Sequence, residues 1–217
     1  MAPPPPNKRI KTISVSRPVV YGNTAKKMGD VRPANAPVEH THVWTIFLRG
    51  LENEDVSYYI KQVVFKLHDT YPNPTRIVTA PPFELTETGW GEFDIGIKIH
   101  FVDAANEKVL NFYHRLRLHP YDMSKPSQEE IESVFYDEIV FNEPNERFFQ
   151  VLMTRPGNLL PSNKTDASPF SKQLELEEIK RIDDGVVEVD KQIEELKGQL
   201  EEKLKTAAAA AEPAAAK

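Results

Sequence analysis

The chain has 217 residues, 40% of them hydrophobic, with 18 prolines, no cysteine and a formal net charge of −6. The lack of cysteine excludes disulfides and thiolate metal sites, no apolar run approaches the roughly 18 residues of a membrane helix, and the acidic balance argues against a general nucleic-acid binder. The length allows one domain of ordinary size plus an appendage, and the prolines point away from an all-helical fold. The opening MAPPPPNKR has no apolar signal core, so the expectation is a soluble intracellular chain.

Pro3 to Pro6 read as a disordered lead-in over residues 1–7. Residues 1–33 carry Lys8, Arg9, Lys11, Arg17, Lys26, Lys27 and Arg32 against Asp30 alone. Such a bias suits a solvated arm, a weak contact with DNA or an acidic protein surface, or, in its KRIK cluster, a nuclear import signal. Ile13–Tyr21 alternates and is β-branched, which predicts a strand; Gly22–Glu39 reads as a polar loop. Thr41–Arg49 predicts a second strand with Trp44, Ile46 and Leu48 on one face. Tyr58–Leu67, Phe93–Val102, Val109–Leu118 and Val134–Phe141 predict further strands, with a polar insertion at Ser124–Glu132. Short strands broken by turns, with no long helix among them, predict an antiparallel β-sandwich.

Asn142-Glu143-Pro144 reads as the start of a short helix, with Asn142 as N-cap and Phe148, Val151 and Leu152 on one face up to about Thr154. Residues 161–171 form a linker within the polar stretch Asn158–Phe170 and its flank. From Lys172 the character changes. Ile179, Ile182, Val186, Val189, Ile193, Leu196 and Leu200 alternate three and four apart, an unbroken coiled-coil seam within a helix over 172–206. A lone amphipathic helix packed on the sandwich is the alternative. Residues 207–217 are Ala-rich and read as a disordered tail.

The stretch Lys66–Phe93 holds two turn-rich loops, each with an aromatic beside polar residues. His68-Asp69-Thr70-Tyr71 is closed by Pro72-Asn73-Pro74, and the second loop is Glu87-Thr88-Gly89-Trp90-Gly91. Arg76–Thr79 and Phe83–Thr86 read as short extended pieces between them. Prolines stiffen these loops, and Gly89 and Gly91 leave the backbone around Trp90 open to close approach. Two rings on stiff loops with a hydroxyl nearby suit something flat and polar. Competing chemistries are thinner. His40 and His42 share a strand face, as zinc ligands sometimes do, but no third ligand is evident. Glu84, Glu87 and Glu92 flank the second loop, as a hydrolase would need, without any nucleophile or phosphate motif nearby. The expectation is no metal, no cofactor and no catalysis.

The blocks HTHVWTIFLRG, VVFKLHDTYPNP, PPFELTETGWGEFDI and FYHRLRLHPY, in that order, resemble the YEATS domain family over roughly residues 8–160. The resemblance implies an immunoglobulin-like sandwich that reads acylated lysine, acetyl or crotonyl, in histone tails. It implies that Tyr71 and Trp90 form the two faces of a slot and that Thr70 reads the amide. His68 would brace Thr70, Gly89 and Gly91 would let the ligand pass over the backbone, and His40 would form a polar outer rim. Trp90 stands where other members have Tyr, and Thr70 replaces a frequent serine. The C-terminal segment fits a member whose partners are subunits of histone acetyltransferase and SWR-type remodelling complexes. That fit implies a nuclear, non-catalytic chromatin subunit acting in transcription regulation and DNA repair. A histone-binding or scaffolding module that does not read acylation is the alternative.

Overall fold

The computed structural model describes residues 8–29, 32–34, 36–120, 130–157, 159–165 and 169–211, with side chains in the last helix to residue 208. The expected lead-in, residues 124–129 of the polar insertion and residues 212–217 of the tail lie outside them. The described chain divides near residue 160 into two units.

The first unit holds eight described strands: β1 (Ser14–Lys27), β2 (His42–Gly50), β3 (Ile60–Lys66), β4 (Thr75–Val78), β5 (Phe83–Gly89), β6 (Asp94–Phe101), β7 (Leu110–Arg115) and β8 (Glu130–Asn142). They form two antiparallel sheets, ordered β5-β2-β1-β8 and β4-β3-β6-β7. Alternation fills the space between them. Trp44, Ile46 and Leu48 of β2 meet Val63, Phe65, Ile95, Ile97 and Ile99, all nearly inaccessible. The expected sandwich is therefore what the residues build.

Two strands run further than their apolar patterns indicate. β1 continues through Gly22–Lys27, which the sequence places in a loop, because this stretch pairs on both sides, with β2 and with β8. Gly22 fits where a Cβ would lie 2.2 Å from the Ser133 carbonyl oxygen. On the outer face Phe47 lies opposite Gly22 in register, only 7% exposed, with the Arg49 guanidinium 4.5 Å from its ring centre. β8 likewise begins at Glu130, paired with Lys26, inside the segment read as an insertion. Backbone pairing, not side-chain hydrophobicity, decides these ends.

The basic segment is not a free arm from Lys8 onward. Arg9 pairs with Glu107 at 3.0 Å and donates to the Asn142 and Glu143 carbonyls. Arg17 is buried. Its Nε donates to the Tyr58 hydroxyl at 2.9 Å, and Nη2 donates to the carbonyls of Leu152 and Arg155. Those carbonyls end the short helix α1 (Glu146–Met153), so a cation sits where the dipole favours one.

The helix starts later than its proline suggests. Asn142 is the last residue of β8, and Glu143 turns the chain at φ 49°. Asn145 is the N-cap, accepting from Phe148 N at 2.9 Å and donating to the Ala104 and Ala105 carbonyls. This start places Phe148 and Leu152 fully in the core.

In the second unit Ser171 caps helix α2 (Lys172–Ala211) by accepting from Leu174 N. The helix outlasts the expected end at 206 because alanine is the strongest helix former. Its seam residues are exposed: Ile182 is 58% accessible and Leu196 63%.

One polar cluster crosses the sandwich interior. Asn23 Oδ1 accepts from Arg117 N at 3.0 Å and from His114 Nε2 at 2.8 Å, while Asn23 Nδ2 donates to the Arg117 carbonyl. His114 Nε2 is thus the protonated nitrogen, and the buried Nδ1 has no hydrogen-bond partner. Burial, then the nearby Arg117 charge, pushes the His114 pKa down from 6.5 to about 4. A folded-state pKa below the unfolded one stabilises above the unfolded value and is lost as pH falls through the folded one. The His114 contribution should therefore decline from about pH 6.5 to about pH 4. Denaturation midpoints should fall over that window in the wild type and more shallowly in His114→Gln. Parallel pH profiles would assign the acid sensitivity elsewhere.

Candidate functional site

Both loops lie at one end of the sandwich. The β3–β4 connection, residues 67–74, belongs to the second sheet. The segment 90–93 carries the chain from β5 in the first sheet to β6 in the second. β5 extends through Gly89, so Glu87 and Thr88, read from sequence as loop, are strand residues paired with Trp44 and Val43. The turn itself is reduced to Trp90 and Gly91.

Tyr71 is half-buried and clamped. Its ring centre lies 6.0 Å from that of Trp44, 5.6 Å from Phe93 and 6.4 Å from His40. Its hydroxyl donates to the Thr88 carbonyl at 3.0 Å, which joins the first loop to the first sheet. Burial pushes the phenol pKa up, so it remains a donor. Gly89 makes room for this joint. A Cβ there would lie 2.4 Å from the Tyr71 hydroxyl oxygen and 3.2 Å from Trp44 Nε1. The space on the Cβ side of Gly89 is thus filled by protein. At Gly91 a Cβ would meet nothing within 4 Å. Trp90 stands out from the turn, 66% exposed, so the two aromatic rings are held very differently.

The first loop fixes a hydroxyl. His68 Nδ1 accepts from Thr70 N at 3.3 Å, so this nitrogen carries the lone pair. Thr70 Oγ1 lies 3.0 Å from the same nitrogen, and its proton therefore points at His68. The oxygen's own lone pairs are left outward, ready to accept an N–H. His68 also packs edge-on against Phe93, with ring centres 6.0 Å apart. On the other side His40 Nδ1 is 2.7 Å from the Thr88 hydroxyl. The structure thus gathers His40, His68, Thr70, Tyr71, Gly89, Trp90 and Gly91 at one end of the fold, though Gly89 sits inside the joint.

The residues weighed for a metal or a hydrolase are engaged elsewhere in the fold. His40 precedes β2 and is bound to Thr88, whereas His42 is buried with Nδ1 2.8 Å from the Thr41 hydroxyl. His42 packs against His119, ring centres 5.1 Å apart. Burial, then the charge of His119, lowers the His42 pKa. Among the described residues no group of three metal-ligating side chains converges. The acids have structural partners. Glu87 pairs with Arg76 at 2.8 Å. Glu92 pairs with Arg117 at 3.0 Å and accepts from the backbone of Leu118 and His119. Burial alone would raise the Glu92 pKa, but these donors outweigh it and hold the carboxyl below its usual range. Only Glu84 is a plainly exposed carboxylate among the three.

Sequence reasoning missed Thr88, whose carbonyl holds Tyr71 and whose hydroxyl meets His40, and the two arginine–glutamate pairs on either side of the Trp90 turn. The pairs span 11 and 25 positions, and no local pattern announces them. Trp44 was legible as core from its strand face, but not as the floor under Tyr71.

The YEATS family profile matches residues 39–120, which hold both loops. The protein AF-9 homolog of Saccharomyces cerevisiae is 66% identical over 92% of this chain and 95% of its own length. A crystal structure of the Yaf9 YEATS domain bound to H3K27ac superposes with a TM-score of 0.62 at 73% identity, covering 68% of this chain and 99% of that domain. The Yaf9 YEATS domain recognising an H3K122suc peptide gives a TM-score of 0.60 at 71% identity, with the same coverage. With its two sheets, its paired loops and this degree of identity along nearly its whole length, the chain belongs to the YEATS family.

Proposed function

We propose that this chain is a non-catalytic chromatin subunit that reads acylated lysine in histone tails at the loop end of its sandwich. The observation that carries the reading is the fixed Thr70 hydroxyl, turned by His68 to accept an N–H, at the same end of the fold as the clamped ring of Tyr71 and the projecting ring of Trp90. An acylated lysine offers an amide N–H to that oxygen, a carbonyl to the backbone N–H groups around Trp90, and a flat face to the rings. A free ammonium also attracts an aromatic face, but it has no acceptor and loses hydration on entry. Each unmet polar group costs about 1–3 kcal/mol, which is the source of selectivity. The bound acyl peptides of the Yaf9 structures support the same reading.

The helix α2 suits assembly. Seven seam residues from Ile179 to Leu200 stay exposed along one stripe, and Gly185 and Gly198 each weaken the isolated helix by about 1 kcal/mol. A partner helix covering the stripe supplies the missing burial. In this reading that partner is a subunit of a histone acetyltransferase or SWR-type remodelling complex and the location nuclear, as the family resemblance of the sequence implies. Acyl-lysine contacts of this size bind weakly alone and gain from being one contact among several in a complex.

Titration of the chain with acetylated, crotonylated and unmodified histone H3 peptides should show a preference for the acylated forms. Equal binding would leave only the scaffolding role. Trp90→Ala should weaken acyl-peptide binding by about 1–3 kcal/mol, roughly five- to a hundredfold, with little change in melting temperature. Thr70→Val should do likewise by removing the acceptor, and His68→Ala should act through Thr70.

For α2, Ile182→Asp with Ile193→Asp should release the chain from its complexes while its acyl-peptide affinity is kept. Co-purification of the double variant with intact complexes would place the assembly contact elsewhere.

A further inference from the structure

We propose that Arg76 is a positioning residue for acyl-lysine binding, fixing the gap between the loop that carries Tyr71 and the strand end that carries Trp90. The inference rests on the reading of the site given above. Arg76 lies on β4 opposite Phe65, and Glu87 lies on β5 opposite Trp44. Phe65 and Trp44 are core residues, so both charged side chains occupy the inward faces of their sheets. β4 and β5 are edge strands of different sheets. Their ion pair therefore closes one margin of the sandwich, beside the site.

The guanidinium serves two masters. Nη2 lies 2.8 Å from the Glu87 carboxylate and donates at 2.8 Å to the carbonyl of Pro72. Pro72 directly follows Tyr71. Glu87 directly precedes Thr88, which receives the Tyr71 hydroxyl and the His40 ring. One cation thus ties the backbone behind the first wall to the strand that ends in the second. The pair is about three-quarters shielded, at 27% and 25% side-chain exposure, and Arg76 Nε is buried without a hydrogen-bond partner. A charge held at that cost of desolvation is poorly explained by solubility. Lysine keeps the charge but on a flexible stem, without the rigid planar guanidinium that aims Nη2 at both acceptors.

The spacing of the walls matters most to a flat acyl chain that fills the slot, and less to the amide contact at Thr70. Loss of the strap should therefore change the ratio of crotonyl to acetyl affinity as well as both affinities. The experiment titrates the full chain, wild type and Arg76→Gln, Arg76→Lys and Glu87→Gln, with acetylated, crotonylated and unmodified H3 peptides, alongside thermal melts. Arg76→Gln should weaken acyl-peptide binding by about three- to thirtyfold and shift the crotonyl-to-acetyl ratio. Arg76→Lys should fall between it and the wild type. Glu87→Gln preserves shape and a neutral acceptor, and provides the same test if Arg76→Gln does not fold. Wild-type binding by folded Arg76→Gln or Glu87→Gln would overturn the inference. So would an equal loss for both acyl forms that tracks the melting temperature. A wild-type chain with no preference for acylated peptide would instead overturn the reading of the site, and this inference with it.

Discussion

The loop end of the sandwich depends on one crowded contact, the Tyr71 hydroxyl set against the backbone of Thr88 and Gly89. The hydroxyl comes from a loop of the second sheet and the backbone from a strand of the first. Any side chain at position 89 would occupy the place of the oxygen. The contact thus decides the residue at 89, the tilt of the Tyr71 ring over Trp44 and Phe93, and the point where β5 gives way to the turn. The Thr70 hydroxyl inherits its place from the same loop, through His68.

A line of buried polar groups supports this end from inside. Asn23, at the centre of the first sheet, holds the backbone of Arg117 through both its donor and its acceptor. The Arg117 side chain in turn holds Glu92, immediately after the Trp90 turn. Such a line is tolerated deep in the sandwich because Asn23 is satisfied at both its oxygen and its nitrogen, which offsets the unpartnered His114 Nδ1. β1, remote from both loops in sequence, thereby fixes the far side of the turn.

The sandwich was legible from alternation in β2, β3 and β6, where core residues leave an unambiguous period of two. Its limits were not. Gly22–Lys27 reads as loop because Gly22, Asn23 and Lys26 are poor strand formers, yet β1 is the strand flanked on both sides and its backbone must pair. Asn142 and Asn145 both suit an N-cap, and the choice falls to tertiary packing of Phe148 and Leu152. At the site, the aromatic and hydroxyl residues stood out because they sit in stiff loops. The carboxylates misled, since Glu87 and Glu92 resemble free acids until arginines distant in sequence arrive beside them. The family resemblance named the loop residues, but no sequence pattern distinguished Gly89, which is filled by protein, from Gly91, which is open.

Tyr71 and Trp90 differ in what a substitution would cost. Tyr71 is bolted into the fold, so a change there draws on the stability of the whole loop end. Trp90 projects into solvent and carries little of that structure. Substitution at position 90 is therefore cheap in stability. In the acyl-lysine reading proposed above, Tyr71 is the fixed jaw of the slot and Trp90 the exchangeable one, so a change of ligand preference would be reached through Trp90 alone.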